Sequence, residues 1–337
     1  MRLAFAGFRH GHILEVHSLA AAADDVEIVA AAEAHGPTRE ELTTGGKVEL
    51  THESWRDMLD DVECDAVAVG EYFAGRGEIV LAALRSGRHV ICDKPICTAA
   101  DELDAIEAAV SETGLFVGCQ FSLRDSAVSR TMRRLVGEGA IGPIRTITFT
   151  AQHPLRYGSR ADWYFKPGFH GGTINDIAVH ATDLIPWLTG ERIAEVVAAR
   201  AWNARLPQVP FFQDAAQLML RLADGCGVLG DCSYLAPDAG GYSMPQYWRV
   251  TCHGDRGVLE GVSSAGELWL ATSEDKAPRL CELDDREAGG YFQAFLREVR
   301  GESQPGDLTT RDVLTASRAA LVAQQAADEN RTGVAVP

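Results

Sequence analysis

The sequence lacks any long apolar run and is poor in positive charge. No stretch approaches the roughly 18–20 apolar residues that a membrane-spanning helix needs, and the apolar residues 3–7 are too few for the core of a signal peptide. The 31 Lys and Arg residues face 48 Asp and Glu residues, so the formal net charge is −17. Such a surface repels nucleic-acid phosphates and anionic membrane leaflets. The sequence therefore predicts a cytoplasmic protein that binds neither nucleic acid nor a membrane.

The cysteines also lack the spacing of a metal site. None falls in a C-x-x-C pair, and no Cys/His cluster has the spacing of zinc ligands. Most sit inside apolar runs typical of strands, so we expect reduced thiols in the core and no bound metal. The eight positions are Cys64, Cys92, Cys97, Cys119, Cys226, Cys232, Cys252 and Cys281.

The first 120 residues alternate strand-like and helix-like patterns. The strand-like runs are short and apolar, as buried parallel strands should be. They lie at 3–6, 26–32, 66–69, 89–92 and 115–117. This alternation is typical of a doubly wound parallel sheet, so residues 1–120 are predicted to form a dinucleotide-binding Rossmann domain.

The pattern changes after residue 120. A helix at 126–136 leads into a series of strand-like runs between 144 and 271, separated by glycine-rich turns and one helix near 174–188. Two helical patterns, at 290–300 and 311–329, close the chain. Residues 121–337 are therefore predicted to form an α+β domain with a large, mostly antiparallel, open sheet for substrate binding and oligomerisation.

A glycine turn follows the first predicted strand. Residues 7–12, G-F-R-H-G-H, stand where a Rossmann domain holds a pyrophosphate at the N-terminus of its first helix. Only Gly7 of the usual G-x-G-x-x-G is in register, because Arg9 and His12 replace the other two glycines. Glu33, at the end of the second strand, is placed to accept hydrogen bonds from a ribose and would repel a 2′-phosphate. It favours NAD over NADP; the alternative is a solvated acid at a strand end.

Three further motifs occur in order along the chain. Asp93-Lys94-Pro95 follows a predicted strand, G-A-I-G-P-I begins at Gly139, and Gly171-Gly172 leads a helix with the pattern D-x-x-x-H-x-x-D. With these motifs the chain resembles, over nearly its whole length, the Gfo/Idh/MocA family of oxidoreductases. The resemblance implies an NAD(P)-dependent dehydrogenase or reductase. Its substrate would be a CH–OH group of a sugar, cyclitol or related polyhydroxylated molecule.

The residues of these motifs suit the oxidation of an alcohol. Asp176 and His180 are spaced i, i+4 and therefore share a helix face. A histidine accepts protons near neutral pH, and the ammonium group of Lys94 can stabilise an alkoxide. By resemblance, His180 is the acid/base, Asp176 positions the substrate or His180, and Lys94 binds the reacting hydroxyl beside the nicotinamide. Asp183 lies on the same face and is expected to orient His180; the alternative for an Asp–His pair is a surface contact.

The sequence departs from the family pattern around the predicted cofactor site. Asp93 replaces the commoner Glu, and G-E-Y-F-A-G-R at 70–76 replaces Thr-Pro-Asn-x-x-His in a loop that usually lines the cofactor. Arg9 either contacts the pyrophosphate or obstructs it. The residues predicted to bind the cofactor are Gly7, Phe8, Arg9, His10, Gly11, His12, Glu33, Gly70, Glu71, Tyr72, Asp93, Lys94 and Gln120.

The substrate is predicted to meet a segment rich in aromatic and basic residues, 153–170. Aromatic faces with Arg, Lys and Asp suit sugar or cyclitol rings; the alternatives are an oligomer contact or core aromatics. The residues predicted to bind substrate are Lys94, Arg124, Tyr157, Trp163, Asp176 and His180. The family's open sheet face often packs on a second subunit, which implies a homodimer or homotetramer.

Two other functions remain open from the sequence. In one, the protein keeps NAD tightly bound and recycles it within a lyase or epimerase reaction. In the other, it is a non-catalytic ligand-binding homologue, as the altered glycine motif suggests. The Lys94, Asp176 and His180 set argues against the second of these.

Overall fold

The computed structural model describes all 337 residues, and their contacts divide the chain into two compact units. The N-terminal unit comprises residues 1–120, 161–171 and 289–314. The C-terminal unit comprises residues 121–160, 172–288 and 315–337. Two later segments thus join the first 120 residues in one unit.

Five parallel strands form the sheet of the N-terminal unit, in the order β2-β1-β3-β4-β5. This confirms the predicted Rossmann-like sheet, with the last strand two residues later than expected. Ligands of such sheets bind beyond the carboxyl ends of the strands where the order reverses, here at β1 and β3. The elements are β1 Arg2–Ala6, α1 Ile13–Ala22, β2 Glu27–Ala32, α2 Gly36–Thr44, α3 Trp55–Asp61, β3 Ala66–Val69, α4 Phe73–Arg85, β4 His89–Cys92, α5 Ala100–Thr113 and β5 Val117–Cys119.

Glycine is required at two positions where β1 and β3 end. Gly7 has a φ of +81°, and a Cβ there would lie 3.0 Å from the backbone of Glu71. A Cβ on Gly70 would lie 2.4 Å from the side chain of Ile13. The first residue of α1 therefore packs directly against the turn after β3, and larger side chains would force these segments apart.

Nine strands form the sheet of the C-terminal unit, in the order β13-β12-β11-β10-β6-β9-β8-β7-β14. Only the β6–β9 pair is parallel, which confirms the predicted, mostly antiparallel sheet. No helix of the chain is long and apolar enough to cross a bilayer. The remaining elements are α6 Ala127–Gly137, β6 Ile144–Pro154, α7 Val179–Thr189, β7 Ile193–Trp202, β8 Ala215–Leu222, β9 Gly227–Ala236, β10 Arg249–Gly254, β11 Gly257–Val262, β12 Glu267–Thr272, β13 Arg279–Leu280, α8 Gly290–Arg300, α9 Thr310–Asp328 and β14 Thr332–Ala335.

The two faces of the nine-stranded sheet differ in burial. Along β8, buried and exposed residues alternate, so Leu218 and Leu220 are buried while Met219 is 44% exposed. Met219 pairs with Leu229 of β9, which is 55% exposed and in turn pairs with Thr148 of β6. We call Met219, Leu229 and Thr148 the outer row; it leaves apolar side chains on the open face of the sheet.

All eight cysteines carry free thiols. Six of them are buried, while Cys64 and Cys281 are partly exposed. Burial raises the pKa of Cys92 to about 12, so this thiol stays protonated at neutral pH. A protonated, buried thiol behaves as a small core residue and not as a nucleophile.

Candidate functional site

The turn between β1 and α1 carries backbone donors that the protein does not use. The amide of His10 donates to the carbonyl of Gly70 at 3.1 Å, whereas the amides of Gly11 and His12 donate to no group of the protein. Both of these residues are exposed, and α1 begins at Ile13 without a side-chain cap. Unfilled N–H groups at a helix N-terminus make a site for an anion.

The side chain of Glu33 accepts hydrogen bonds from the backbone of this turn. Its Oε2 accepts the amide of Phe8 at 2.6 Å, and its Oε1 accepts the amide of His35 at 2.7 Å. The side chain is only 1% exposed. Both carboxylate oxygens therefore order the backbone around the turn, and a contact with a ribose stays a prediction.

The loop after β3 packs beside Arg9. The guanidinium of Arg9 lies 3.8 Å from the carboxylate of Glu71 and 5.6 Å from the ring centre of Tyr72. Burial, together with the nearby Glu33, raises the pKa of Glu71 to about 6, although Arg9 opposes the shift. Gln120, which was also predicted to bind the cofactor, donates a hydrogen bond from its side-chain amide to the carboxylate of Glu15 at 2.9 Å. Arg9 thus contacts the loop after β3, and its predicted contact with a pyrophosphate stays open.

A buried ionic network lies at the end of β4. Arg76 is fully buried and donates to Oδ2 of Asp93 at 2.9 Å. It also donates to the carbonyls of Glu71, Asp93 and Pro95. The same Oδ2 contacts Nδ1 of His10. Burial opposes ionisation of Asp93, but Arg76 and His10 outweigh it and hold its pKa well below the usual range.

His10 is neutral in this network. Burial lowers its pKa to about 3, with His12 and Arg76 acting in the same direction and Asp93 against it. Its Nε2 lies 2.9 Å from the hydroxyl of Tyr164. The imidazole is therefore fixed on both ring nitrogens, between a carboxylate and a phenol.

Aromatic side chains surround this network, including one predicted to bind substrate. Phe73, Trp163 and Tyr164 form a buried cluster in the N-terminal unit. The indole N–H of Trp163 donates to the carbonyl of Arg9 at 3.0 Å, and this side chain is only 1% exposed. The ammonium of Lys94 lies 5.7 Å from the ring centre of Phe73. Trp163 thus packs as a core aromatic of this unit, the alternative that its sequence pattern left open.

In the C-terminal unit, Asp176 and His180 lie on consecutive helical turns. Residues Ile174–Ala178 form a π-helical turn, and α7 continues from Val179. Asp176 is 2% exposed and accepts a hydrogen bond from the hydroxyl of Tyr234. The ring of His180 lies 5.7 Å from that of Trp248, edge to face. A single helical segment therefore carries both predicted residues, with Tyr234 fixing the carboxylate.

Asp183 has a charged partner that the sequence did not suggest. Its carboxylate forms a two-pronged ion pair with Arg124, whose Nε lies 2.9 Å from Oδ2 and whose Nη2 lies 2.5 Å from Oδ1. A guanidinium is a strong, charge-assisted partner for a carboxylate, and the role of Asp183 in orienting His180 stays a prediction. Arg124, which was predicted to bind substrate, is therefore engaged within its own unit.

The predicted residues thus fall into two groups. Every residue predicted to bind the cofactor lies in the N-terminal unit with Lys94, whereas Arg124, Tyr157, Asp176 and His180 lie in the C-terminal unit. Tyr157 is 48% exposed. The cofactor-binding, substrate-binding and catalytic roles of all these residues stay predictions.

Three side chains of these networks escaped the sequence analysis. They are Arg76, Tyr164 and Tyr234. Arg76 at least ends a loop whose sequence is unusual, and Tyr164 lies in the aromatic segment. Tyr234 sits in a strand-like run and carries no signal, because only the fold brings it to Asp176.

Known proteins resemble this chain in sequence and in fold. A 1,5-anhydro-D-fructose reductase from Ensifer adhaerens is 34% identical over 148 residues, which are 43% of this chain and 44% of the reductase. The match thus spans less than half of the reductase. An inositol 2-dehydrogenase from Rhizobium meliloti is 25% identical over 89% of this chain and 87% of its own. The structure of an oxidoreductase from Thermotoga maritima superimposes with a TM-score of 0.86 over 99% of this chain and all of its own. At 24% identity, that likeness shows the fold alone.

Two family profiles match the chain and together cover most of it. The profile described as "Oxidoreductase family, NAD-binding Rossmann fold" matches residues 1–121, and the profile described as "GFO/IDH/MocA C-terminal domain" matches residues 129–260. These matches confirm the resemblance that the motifs indicated: the chain belongs to the Gfo/Idh/MocA family of oxidoreductases.

Proposed function

We propose that the protein is an NAD(H)-dependent oxidoreductase that acts on a ring hydroxyl of a sugar, cyclitol or related polyhydroxylated molecule. The observation that carries the proposal is the turn after β1, with its unfilled amides of Gly11 and His12 in a family whose N-terminal domain binds NAD. The names of the relatives support the substrate class, since one reduces an anhydrosugar and another oxidises inositol.

The residues of the turn fit a dinucleotide. The positive φ of Gly7 lets the chain turn sharply into α1, and the two amides provide donors for a pyrophosphate. A Cβ on Gly11 would meet nothing within 4 Å, so the space beside the donors is open. Glu33 supports NAD over NADP, because a buried carboxylate disfavours a second phosphate nearby.

When bound, NAD+ supplies the hydride acceptor for the substrate carbon. In the proposal, a ring nitrogen of His180 takes the hydroxyl proton. Asp176, held by Tyr234, orients the substrate or the imidazole. The ammonium of Lys94 stabilises the negative charge that develops on the oxygen. In the reverse direction His180 returns the proton.

Calorimetric titration with NAD+, NADH and NADP+ tests the cofactor. Gly11→Asp places a negative charge beside the two amides without a steric clash, so we expect affinity for NAD+ to fall at least about 10-fold. Gly11→Ala and Gly137→Asp are matched controls, because a Cβ at Gly137 also meets nothing within 4 Å, far along the sequence in α6. Both should bind as the unmodified protein does.

A screen of sugars and cyclitols with each dinucleotide, followed by NADH absorbance, tests the reaction. Turnover with NAD+ supports the proposal. Cofactor that copurifies without net NADH formation would favour the redox-cycling lyase or epimerase. Absence of dinucleotide binding would overturn both redox functions and leave a ligand-binding homologue.

We also propose that the outer row mediates a homodimer or homotetramer. Met219 and Leu229 lie beside a depression of about 480 Å³ on the open sheet face, and exposed apolar patches of this kind mark interfaces. Leu229→Asp should reduce the molar mass measured by light scattering to that of one chain. Leu280→Asp is the matched control, since Leu280 is 56% exposed on β13, at the opposite edge of the sheet from β7 and β14. A monomeric unmodified protein would overturn the proposal.

A further inference from the structure

Two histidines and one aspartate converge in the N-terminal unit in a way that their sequence spacing does not reveal. One ring nitrogen of His10, one of His12 and a carboxylate oxygen of Asp93 all lie within 4.8 Å of one another. The His10 and His12 ring centres are 4.2 Å apart. We call these three residues the His–Asp cluster. Tetrahedral ligands with bonds of about 2.0 Å lie about 3.3 Å from each other, so small side-chain rotations bring all three atoms to coordinating distance.

The carboxylate of Asp93 provides a second, independent observation that points to a bound cation. Its side chain is fully buried, and Oδ2 is bonded to Arg76 and His10. Oδ1 is buried as well but accepts no hydrogen bond. Nδ1 of His12 lies 3.6 Å from Oδ1, which is too long for a hydrogen bond. Buried carboxylate oxygens are normally paired, so Oδ1 presents an unfilled acceptor toward His12.

The residues around the cluster hydrogen-bond to its side chains in the way that neighbouring groups usually orient metal ligands. Nε2 of His10 lies 2.9 Å from the hydroxyl of Tyr164, which fixes the ring. In this structure Nδ1 of His10 is hydrogen-bonded to Oδ2 of Asp93, so a bound metal ion takes the place of the Nδ1 proton while Nε2–H donates to Tyr164. Arg76 fixes the carboxylate through Oδ2 and leaves Oδ1 to a ligand. His12 is 53% exposed, so an ion can enter from solvent and the ring can rotate to meet it.

The charge of Arg76 decides which ions the cluster can take. A guanidinium bonded to the same carboxylate weakens the attraction for any cation. Ions that bind mainly by charge to oxygen ligands, such as Mg²⁺ and Ca²⁺, gain too little from a single carboxylate. Two imidazole nitrogens instead favour Zn²⁺ and its transition-metal neighbours.

From this geometry we infer that His10, His12 and Asp93 bind one divalent transition-metal ion of the zinc class. The remaining coordination position is open to water or to an anionic ligand. The inference does not depend on the proposed oxidoreductase activity, since it rests on residues and distances within one unit.

Metal binding by the tag-free, chelator-treated protein tests the inference in the absence of any dinucleotide. We expect titration with Zn²⁺ to give one ion per chain, and substitution with Co²⁺ to give visible absorption bands of a four-coordinate site. His12→Ala removes a half-exposed ligand and leaves the Arg76–Asp93 pair intact. It should weaken Zn²⁺ binding by at least about 100-fold, since loss of a mere supporting residue already costs 10–100-fold.

His253→Ala is the matched control, because it removes an exposed imidazole from β10 in the other unit and should leave Zn²⁺ binding unchanged. A protein that retains no Zn²⁺, or a His12→Ala variant that binds it as tightly as the unmodified chain, would overturn the inference. Either result leaves the dinucleotide titration untouched, so the two proposals fail separately.

Discussion

Both units bury an arginine–aspartate pair next to a residue predicted to react, but the two pairs are built differently. In the N-terminal unit, Asp93 precedes Lys94, and both Asp93 and Arg76 are fully buried. In the C-terminal unit, Asp183 lies three residues after His180 and pairs with Arg124, whose side chain is 8% exposed. Each pair lies close in sequence to a residue that is predicted to react.

The difference lies in how the donors are shared. Arg124 directs two nitrogens at both oxygens of Asp183. Arg76 gives Asp93 a single bond and uses its other donors on three backbone carbonyls. The first arrangement is a closed connection between a loop and α7. The second organises a loop and leaves one carboxylate oxygen available for a further partner.

His180→Ala gives the largest expected effect. It tests the residue that is predicted to react without changing the Arg124–Asp183 ion pair beside it. We expect kcat to fall by about 10²–10⁴, the usual contribution of a positioned acid/base, with the Kd for NAD+ unchanged. His180→Gln should lose activity equally while filling the space beside Trp248. Near-normal turnover in both variants would remove His180 from the mechanism; His253→Ala serves as the control.

Arg76→Met probes the fully buried pair. It leaves an uncompensated charge on Asp93 and three carbonyls without their donor, so the free energy of unfolding should fall by about 3–5 kcal/mol. Denaturation in urea measures the change. The control is Arg145→Met, whose ion pair with Asp255 is exposed and should contribute less than about 1 kcal/mol. Equal losses in the two variants would contradict the account of Arg76.

Arg124→Met probes the other pair and should cost less than Arg76→Met. It removes charge-assisted hydrogen bonds to Asp183, for which we expect about 2–3 kcal/mol, measured by the same urea titration. The cost is lower because the Arg124 side chain is 8% exposed, whereas that of Arg76 is fully buried and donates to three backbone carbonyls. A loss as large as that of Arg76→Met would erase the distinction between the two pairs.

Glu71→Gln has the smallest expected effect and a characteristic pH dependence. The folded-state pKa of Glu71 is about 6 against an ordinary value of 4.5, so the folded protein holds this proton more tightly than the unfolded chain. Its stabilising contribution is complete below pH 4.5 and is lost as the pH rises through 6, by about 2 kcal/mol. Glu71→Gln should therefore be more stable than the unmodified protein at pH 7.5 and show a flatter profile. Glu53→Gln, at an exposed carboxylate, should not change the profile.

Much of this architecture could be predicted because short stretches of sequence determine it. The strand at 66–69 is apolar on both faces and was placed without error. The helix carrying Asp176 and His180 was placed from its glycine start and its spacing, although the π-helical turn at its beginning has no such signature. The sequence predicts the last strand of the parallel sheet two residues early, since Leu115 is apolar but lies before the strand, where it is only partly buried.

The partners of the buried charges could not be predicted, because they depend on contacts between distant parts of the sequence. Asp93 was predicted from its motif, but nothing in the sequence pairs it with His10, 83 residues earlier. The spacing relates Asp183 to His180, but nothing in the sequence pairs it with Arg124, 59 residues away. Spacing rules reach only one or two helical turns.

The composition of the N-terminal unit limits how the enzyme can be divided or recombined. Trp163 lies against Phe73, and Phe295 of α8 occupies the space that a side chain at Gly118 would need. A fragment ending at residue 120 would expose both surfaces to water. Any chimera built with a relative must therefore exchange three separate pieces of chain together, and a cut at the apparent domain boundary would produce an incomplete fold.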